Sequence, residues 1–192
     1  MKLSGLLKFL MLICCLTICA NGTFAQNSIP VLEFAHTTGG NFNDYPTQMA
    51  FDASGNIYRL GYYQDSVDVD PDTAEVIIVA QGGYDFFVQK LDRKGNHLWV
   101  KSIEARNTSE QAWDIKVSPG GMIYIVGEFG SRTDFDPGPG VANLNTRGRN
   151  DIFVLKLDTS GTFQWARGFG GSLDETGRSI AIDAQENCYF TG

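Results

Sequence analysis

Asp85-Phe86-Phe87-Val88-Gln89-Lys90-Leu91-Asp92-Arg93-Lys94-Gly95-Asn96-His97-Leu98-Trp99 is written again 66 positions on, as Asp151-Ile152-Phe153-Val154-Leu155-Lys156-Leu157-Asp158-Thr159-Ser160-Gly161-Thr162-Phe163-Gln164-Trp165. In the first copy Phe87, Gln89 and Leu91 share one side, with Phe86, Val88 and Lys90 on the other. A period of two over such a run marks a β-strand rather than a helix. Asp92 can bond its own backbone, and Gly95, three residues on, is free to take a positive φ. That pairing is the chemistry of a tight hairpin turn. The stretch reads as a hairpin, and its recurrence at a fixed spacing as a repeat architecture.

The repeat extends outward without a gap. Gly55, Ile57, Tyr58, Gly61, Asp68, Asp70, Pro71 and Gly82 return as Gly121, Ile123, Tyr124, Gly127, Asp134, Asp136, Pro137 and Gly148. Each copy divides into four expected strands. Strand a is 48–51 or 114–117, and strand b is 56–63 or 122–129. Strand c is 85–91 or 151–157, and strand d is 97–103 or 163–169. A long excursion joins b to c, at 64–84 and 130–150. It holds Asp68-Val69-Asp70-Pro71 or Asp134-Phe135-Asp136-Pro137. Val76 to Val79 reads as an extra strand, and 142–145 as a weaker counterpart. Phe34-Ala35 and Gly39-Gly40 match Trp165-Ala166 and Gly170-Gly171, so 31–37 reads as a lone strand d. Residues 180–183 and 187–192 read as strands a and b of a third copy. Cys188 falls at the position of Ile57 and Ile123, where a small, inert, buried thiol is expected.

This order predicts an all-β chain of β-propeller blades, each of four antiparallel strands. Two blades are complete, at 44–103 and 110–169. Partial ones flank them, the strand at 31–37 and the start of a third blade at 178–192. A ring needs roughly four to eight blades. The expected whole is therefore a longer chain of which 26–192 is an N-terminal piece, with the remaining blades as its partners.

Residues 1–25 carry the marks of a secretory signal peptide. Lys2 and Lys8 precede an apolar run at 9–20, and Thr23-Phe24-Ala25 supplies a small-x-small end, placing cleavage before Gln26. The run is shorter than the roughly 20 residues of a spanning helix. Cleavage would leave Cys188 as the single cysteine and exclude an intrachain disulfide. It would also leave 13 basic residues against 22 acidic ones. An acidic chain argues against nucleic acid or anionic lipid as a partner. The expected location is the cell surface or the medium, with no membrane insertion after cleavage.

Asp-x-x-Gly-Asn-x-Tyr-x-x-Gly at 52–61, Asp-x-Phe-Val-x-Lys-Leu-Asp at 85–92 and 151–158 (Ile152 and Phe86 in the variable place), and Gly-x-x-x-Trp at 95–99 and 161–165 resemble the bacterial propeller repeats often called SBBP repeats. The run Asp134-Phe135-Asp136-Pro137-Gly138-Pro139-Gly140 belongs to the same resemblance. It implies a secreted or cell-surface propeller with no established activity for the repeat itself. Gly-x-x-x-Trp also resembles the tryptophan-docking motif of quinoprotein propellers. That likeness gives Trp99 and Trp165 a packing role and implies no quinone.

The residues single out no catalytic, cofactor-binding or metal-ligating set. Asp65, Asp68, Asp70 and Asp72 form an acidic cluster that could meet calcium, but the second copy keeps only Asp134 and Asp136. Turn formation is the favoured reading. His36 and His97 do not recur, and His97 is expected to be a partly exposed filler. No Gly-x-Ser-x-Gly elbow or zinc spacing occurs. Asn107-Thr108-Ser109 is a formal glycosylation triplet. These features predict a non-catalytic binding or structural module for a protein or glycan ligand. The alternative is a piece of a glycan-active enzyme whose site lies in further blades.

Overall fold

The computed structural model describes residues 39–40, 43–70, 75–105 and 108–192, all within one compact unit, Glu33–Gly192. The leader at 1–25, the strand expected at 31–37, His36, Asp72 and Asn107 lie outside them. The described strands run β1 Gly39–Gly40, β2 Asp44–Phe51, β3 Ile57–Tyr63, β4 Ser66–Asp68, β5 Ile77–Val79, β6 Asp85–Leu91 and β7 His97–Ile103. They continue as β8 Gln111–Val117, β9 Ile123–Phe129, β10 Thr133–Asp134, β11 Asn143–Leu144, β12 Asp151–Leu157, β13 Phe163–Phe169, β14 Ser179–Ile182 and β15 Cys188–Thr191. The protein is all-β over this range, and no described helix is long and apolar enough to cross a membrane.

Two antiparallel sheets of four strands carry the repeat, in the orders β2-β3-β6-β7 and β8-β9-β12-β13. Tight turns join the outer pairs of each sheet, and the long excursions join β3 to β6 and β9 to β12. β14 pairs with β15 in the same sense. β4 and β5 form a side hairpin from the first excursion, joined by β1, and β10 with β11 forms its smaller counterpart.

Strand a is longer than its alternation predicts. β2 starts at Asp44 and β8 at Gln111, because a bulge interrupts each. Thr47 is skipped between Pro46 and Gln48, and Trp113 between Ala112 and Asp114. An extra residue breaks the period of two and hides the first half of the strand from a pattern search. Gly127 lets this backbone come close: a Cβ there would stand 2.0 Å from the Gln111 carbonyl oxygen.

The sheets pack face to face. Tyr58, Leu60, Phe86 and Val88 of the first meet Ile123, Ile125, Phe153 and Leu155 of the second in one core. Phe86 and Phe153 stack across it at 5.1 Å and 11°. The far face of the second sheet (Tyr124, Val126, Ile152, Val154) packs on Ile180, Ile182, Cys188 and Phe190. β8 lies beside β2, and β14 beside β8. Ile115 of β8 is fully buried between sheets, whereas its counterpart Met49 is 58% exposed, and Phe51 is 60% exposed.

Candidate functional site

The repeated residues are occupied by the fold. Asp52 Oδ1 accepts the amides of Ser54 and Asn56, both at 2.9 Å, and Oδ2 accepts Asn56 Nδ2 at 2.7 Å. Asp92, Asp158 and Asp183 staple their turns in the same way. Gly55, Gly95 and Gly161 sit at φ of 81°, 93° and 77°, as these turns demand. The Asp-x-Asp-Pro acids also act on backbone. Asp68 Oδ1 accepts the amides of Asp70 (3.0 Å) and Val76 (3.1 Å). Asp134 Oδ1 accepts those of Asp136 (3.1 Å) and Ala142 (2.7 Å). Each first acid thus closes the neck of its excursion. No group of three or more His, Cys, Asp or Glu side chains among the described residues is placed to hold a metal.

Tyr, Lys and Trp form a second repeated device. Trp99 stands edge-on to Tyr58 at 6.1 Å, and Trp165 to Tyr124 at 6.2 Å. Lys90 and Lys156 lie over the same tyrosine rings, at 5.0 and 4.8 Å. Lys90 Nζ and Trp99 Nε1 both donate to the Thr159 carbonyl, at 3.2 and 3.3 Å. Thr159 belongs to a turn of the next sheet, so this tryptophan ties one repeat to another.

Where the copies differ, three clusters emerge. The first is a polar network inside the first sheet: Arg59 Nε donates to Gln89 Oε1 at 3.0 Å, and Gln89 Nε2 lies 2.7 Å from His97 Nδ1. Their counterparts Ile125, Leu155 and Phe163 are apolar. His97 is partly exposed, as expected, and takes part in this network.

The second cluster is a substitution across repeats. Ser118 stands where Asp52 and Asp183 stand, too short to reach Tyr124. Glu186, from the turn of the third copy, supplies the missing carboxylate. It accepts from Ser118 Oγ at 2.7 Å, Lys156 Nζ at 3.0 Å and Tyr124 Oη at 3.2 Å. The bonds from Ser118 and Lys156 hold its carboxyl below the usual carboxylate range. Glu186 holds the place of Gly55 and Gly121 and has a φ of 62°, a left-handed conformation that costs a side-chain-bearing residue energy.

The third cluster is aromatic and lies at the rim where strands b end, opposite the aspartate turns. Tyr45 stacks on Tyr62 at 4.8 Å and 27°. Tyr84 meets both edge-on, at 6.0 and 5.4 Å, and Trp113 meets Tyr62 at 5.6 Å. The Arg178 guanidinium lies 4.5 Å over the Trp113 ring. Burial first, then Tyr45, Tyr84 and Glu128, raise the Tyr62 phenol above its ordinary pKa. Tyr45 is 42% exposed. In the second copy the places of Tyr45, Tyr62 and Tyr84 hold Gln111, Glu128 and Asn150. There Thr176 Oγ1 donates to Glu128. Sequence reading passed over these aromatics because it followed what repeats. A position-by-position search for departures would have found them.

Two acids near this rim are sealed from solvent. Burial raises Asp85 to about 6, against the pull of the Gln81 and Ala105 amides. Burial raises Glu110 to about 7, reinforced by Asp85 and opposed by the hydroxyls of Thr108 and Thr133. Asp85 and Asp151 both clip the end of their excursion, through the amides of Gln81 and Arg147.

No protein-family model matches this chain, and no curated protein matches it. The likeness to SBBP repeats rests on the quoted motifs alone.

Proposed function

We propose that the chain is a run of SBBP-like β-propeller blades in an exported protein, serving as a non-catalytic binding or structural module at the cell surface or outside the cell. The observation that carries this reading is the use of the repeated acids. Asp52, Asp68, Asp85, Asp92 and their counterparts accept backbone amides, which is architectural work. The successive sheets, stacked face to face with strands a side by side, support a radial arrangement of blades. Exposed Met49 and Phe51 match Ile115, which is buried, and Val117, which is half-buried, one repeat later, and this fits a further blade packing there.

Asp85 and Glu110 are both fully buried, so these two acids offer no open site for glycan hydrolysis. Electron microscopy of the exported natural protein tests the architecture. Sheets arranged around an axis are expected, and a linear stack would overturn it. Mass spectrometry of the secreted product should show a chain starting at Gln26. Turnover of a polysaccharide library, abolished by replacing one non-repeating acid, would overturn the non-catalytic assignment.

A further inference from the structure

We infer that Tyr45, Tyr62, Tyr84 and Trp113, bordered by Glu128 and Arg178, form a binding platform for a neutral glycan. The inference deepens the binding-module reading and rests on it. Three observations carry it. The next junction does without the tyrosines: Gln111, Glu128 and Asn150 stand in the places of Tyr45, Tyr62 and Tyr84, and Thr176 Oγ1 donates to Glu128 there. The rings gather from four chain segments, namely β2, β3, the approach to β6 and the bulge of β8. Tyr45, stacked through one face on Tyr62, remains 42% exposed.

A pyranose ring has an apolar face of C–H groups and an edge of hydroxyls. Flat, amphipathic aromatic side chains match such a ligand, since each offers an apolar body with a polar tip. Few-torsion aromatics also lose little entropy on binding, which makes them effective anchors. The border carries one acid and one base, so it favours neither sign of charge. The chain's net charge of −7 disfavours an anionic polymer. The bulge at Trp113 is what brings the indole over to Tyr62, a common use of bulges beside binding sites.

The test uses the full exported protein with cellohexaose as a flat neutral probe and maltohexaose as a curled one. Titration should quench or shift tryptophan emission on cellohexaose addition, and W113F should abolish that signal while Trp99 and Trp165 remain. Y45A should weaken cellohexaose binding at least tenfold with an unchanged melting temperature. Y189A, an exposed tyrosine on β15, should bind as the parent does. No binding of either hexasaccharide up to about 10 mM would overturn the glycan assignment. Binding that survives both Y45A and W113F would overturn the platform while leaving the binding-module reading intact. Hydrolysis of the probe would instead overturn that reading.

Discussion

At the residue scale, the aspartates that look most like chemistry are the ones most committed to turns. Asp52 shows the balance. Burial alone would raise its pKa, but the bonds from Asn56, Ser54 and Tyr58 outweigh it and hold the carboxyl below its ordinary value. A folded-state pKa below the unfolded one stabilises the native chain above the unfolded value, and that stability is lost as pH falls through the folded one. D52A should therefore cost roughly 2 kcal/mol at neutral pH, with a smaller penalty in acid, measured by urea unfolding at both pH values. This role was legible in the sequence, because Asp and Gly recur three residues apart at every such turn except two. The pairing of the two exceptions, Ser118 and Glu186, was not legible. Their contact is made across 68 positions by a side chain leaving a turn that ordinarily ends in glycine.

At the element scale, that exception predicts coupling between two hairpins. S118D sets a second carboxylate against Glu186 and should destabilise by about 1–2 kcal/mol. E186G removes three hydrogen bonds but relieves the left-handed strain. The double variant recreates the Asp52–Gly55 arrangement, so its cost should fall short of the sum by about 1 kcal/mol in a double-mutant cycle. Strict additivity would show that the contact carries no weight. The bulges make a second prediction. G127A drives a Cβ into the Gln111 carbonyl and the Phe153 ring, and should lower stability by about 3 kcal/mol in thermal or denaturant melts. Strands c and d follow the ranges the alternation predicts, at 85–91, 97–103, 151–157 and 163–169. Strands a do not, since a bulged residue shifts the period and a local pattern search then sees only the second half. The short strands β4 and β10 also escaped, because two or three residues carry no period.

At the scale of the whole molecule, buried Asp85 and Glu110 set a pH dependence. Their folded values of about 6 and about 7 lie above the unfolded values near 4. The native state therefore binds more protons across that window, and stability falls as pH rises from about 4 to about 7, then levels off. E110Q should flatten the decline, read as melting temperature against pH, and an unchanged slope would assign the effect elsewhere. Stacking of the sheets predicts that F153A, which empties the centre of the shared core, costs about 3–5 kcal/mol and unfolds both sheets together. The sequence by itself determined strands b, c and d, the tight turns and the order of the repeat, because alternation and Asp-x-x-Gly chemistry are local and written in each copy. Only the tertiary structure decided which departures from the repeat meet. Tyr45 and Trp113 lie 68 positions apart, with Tyr62 and Tyr84 between them, and Ser118 and Glu186 also lie 68 apart. Packing one sheet on the next brings such distant residues within contact distance, and no spacing along the chain records that.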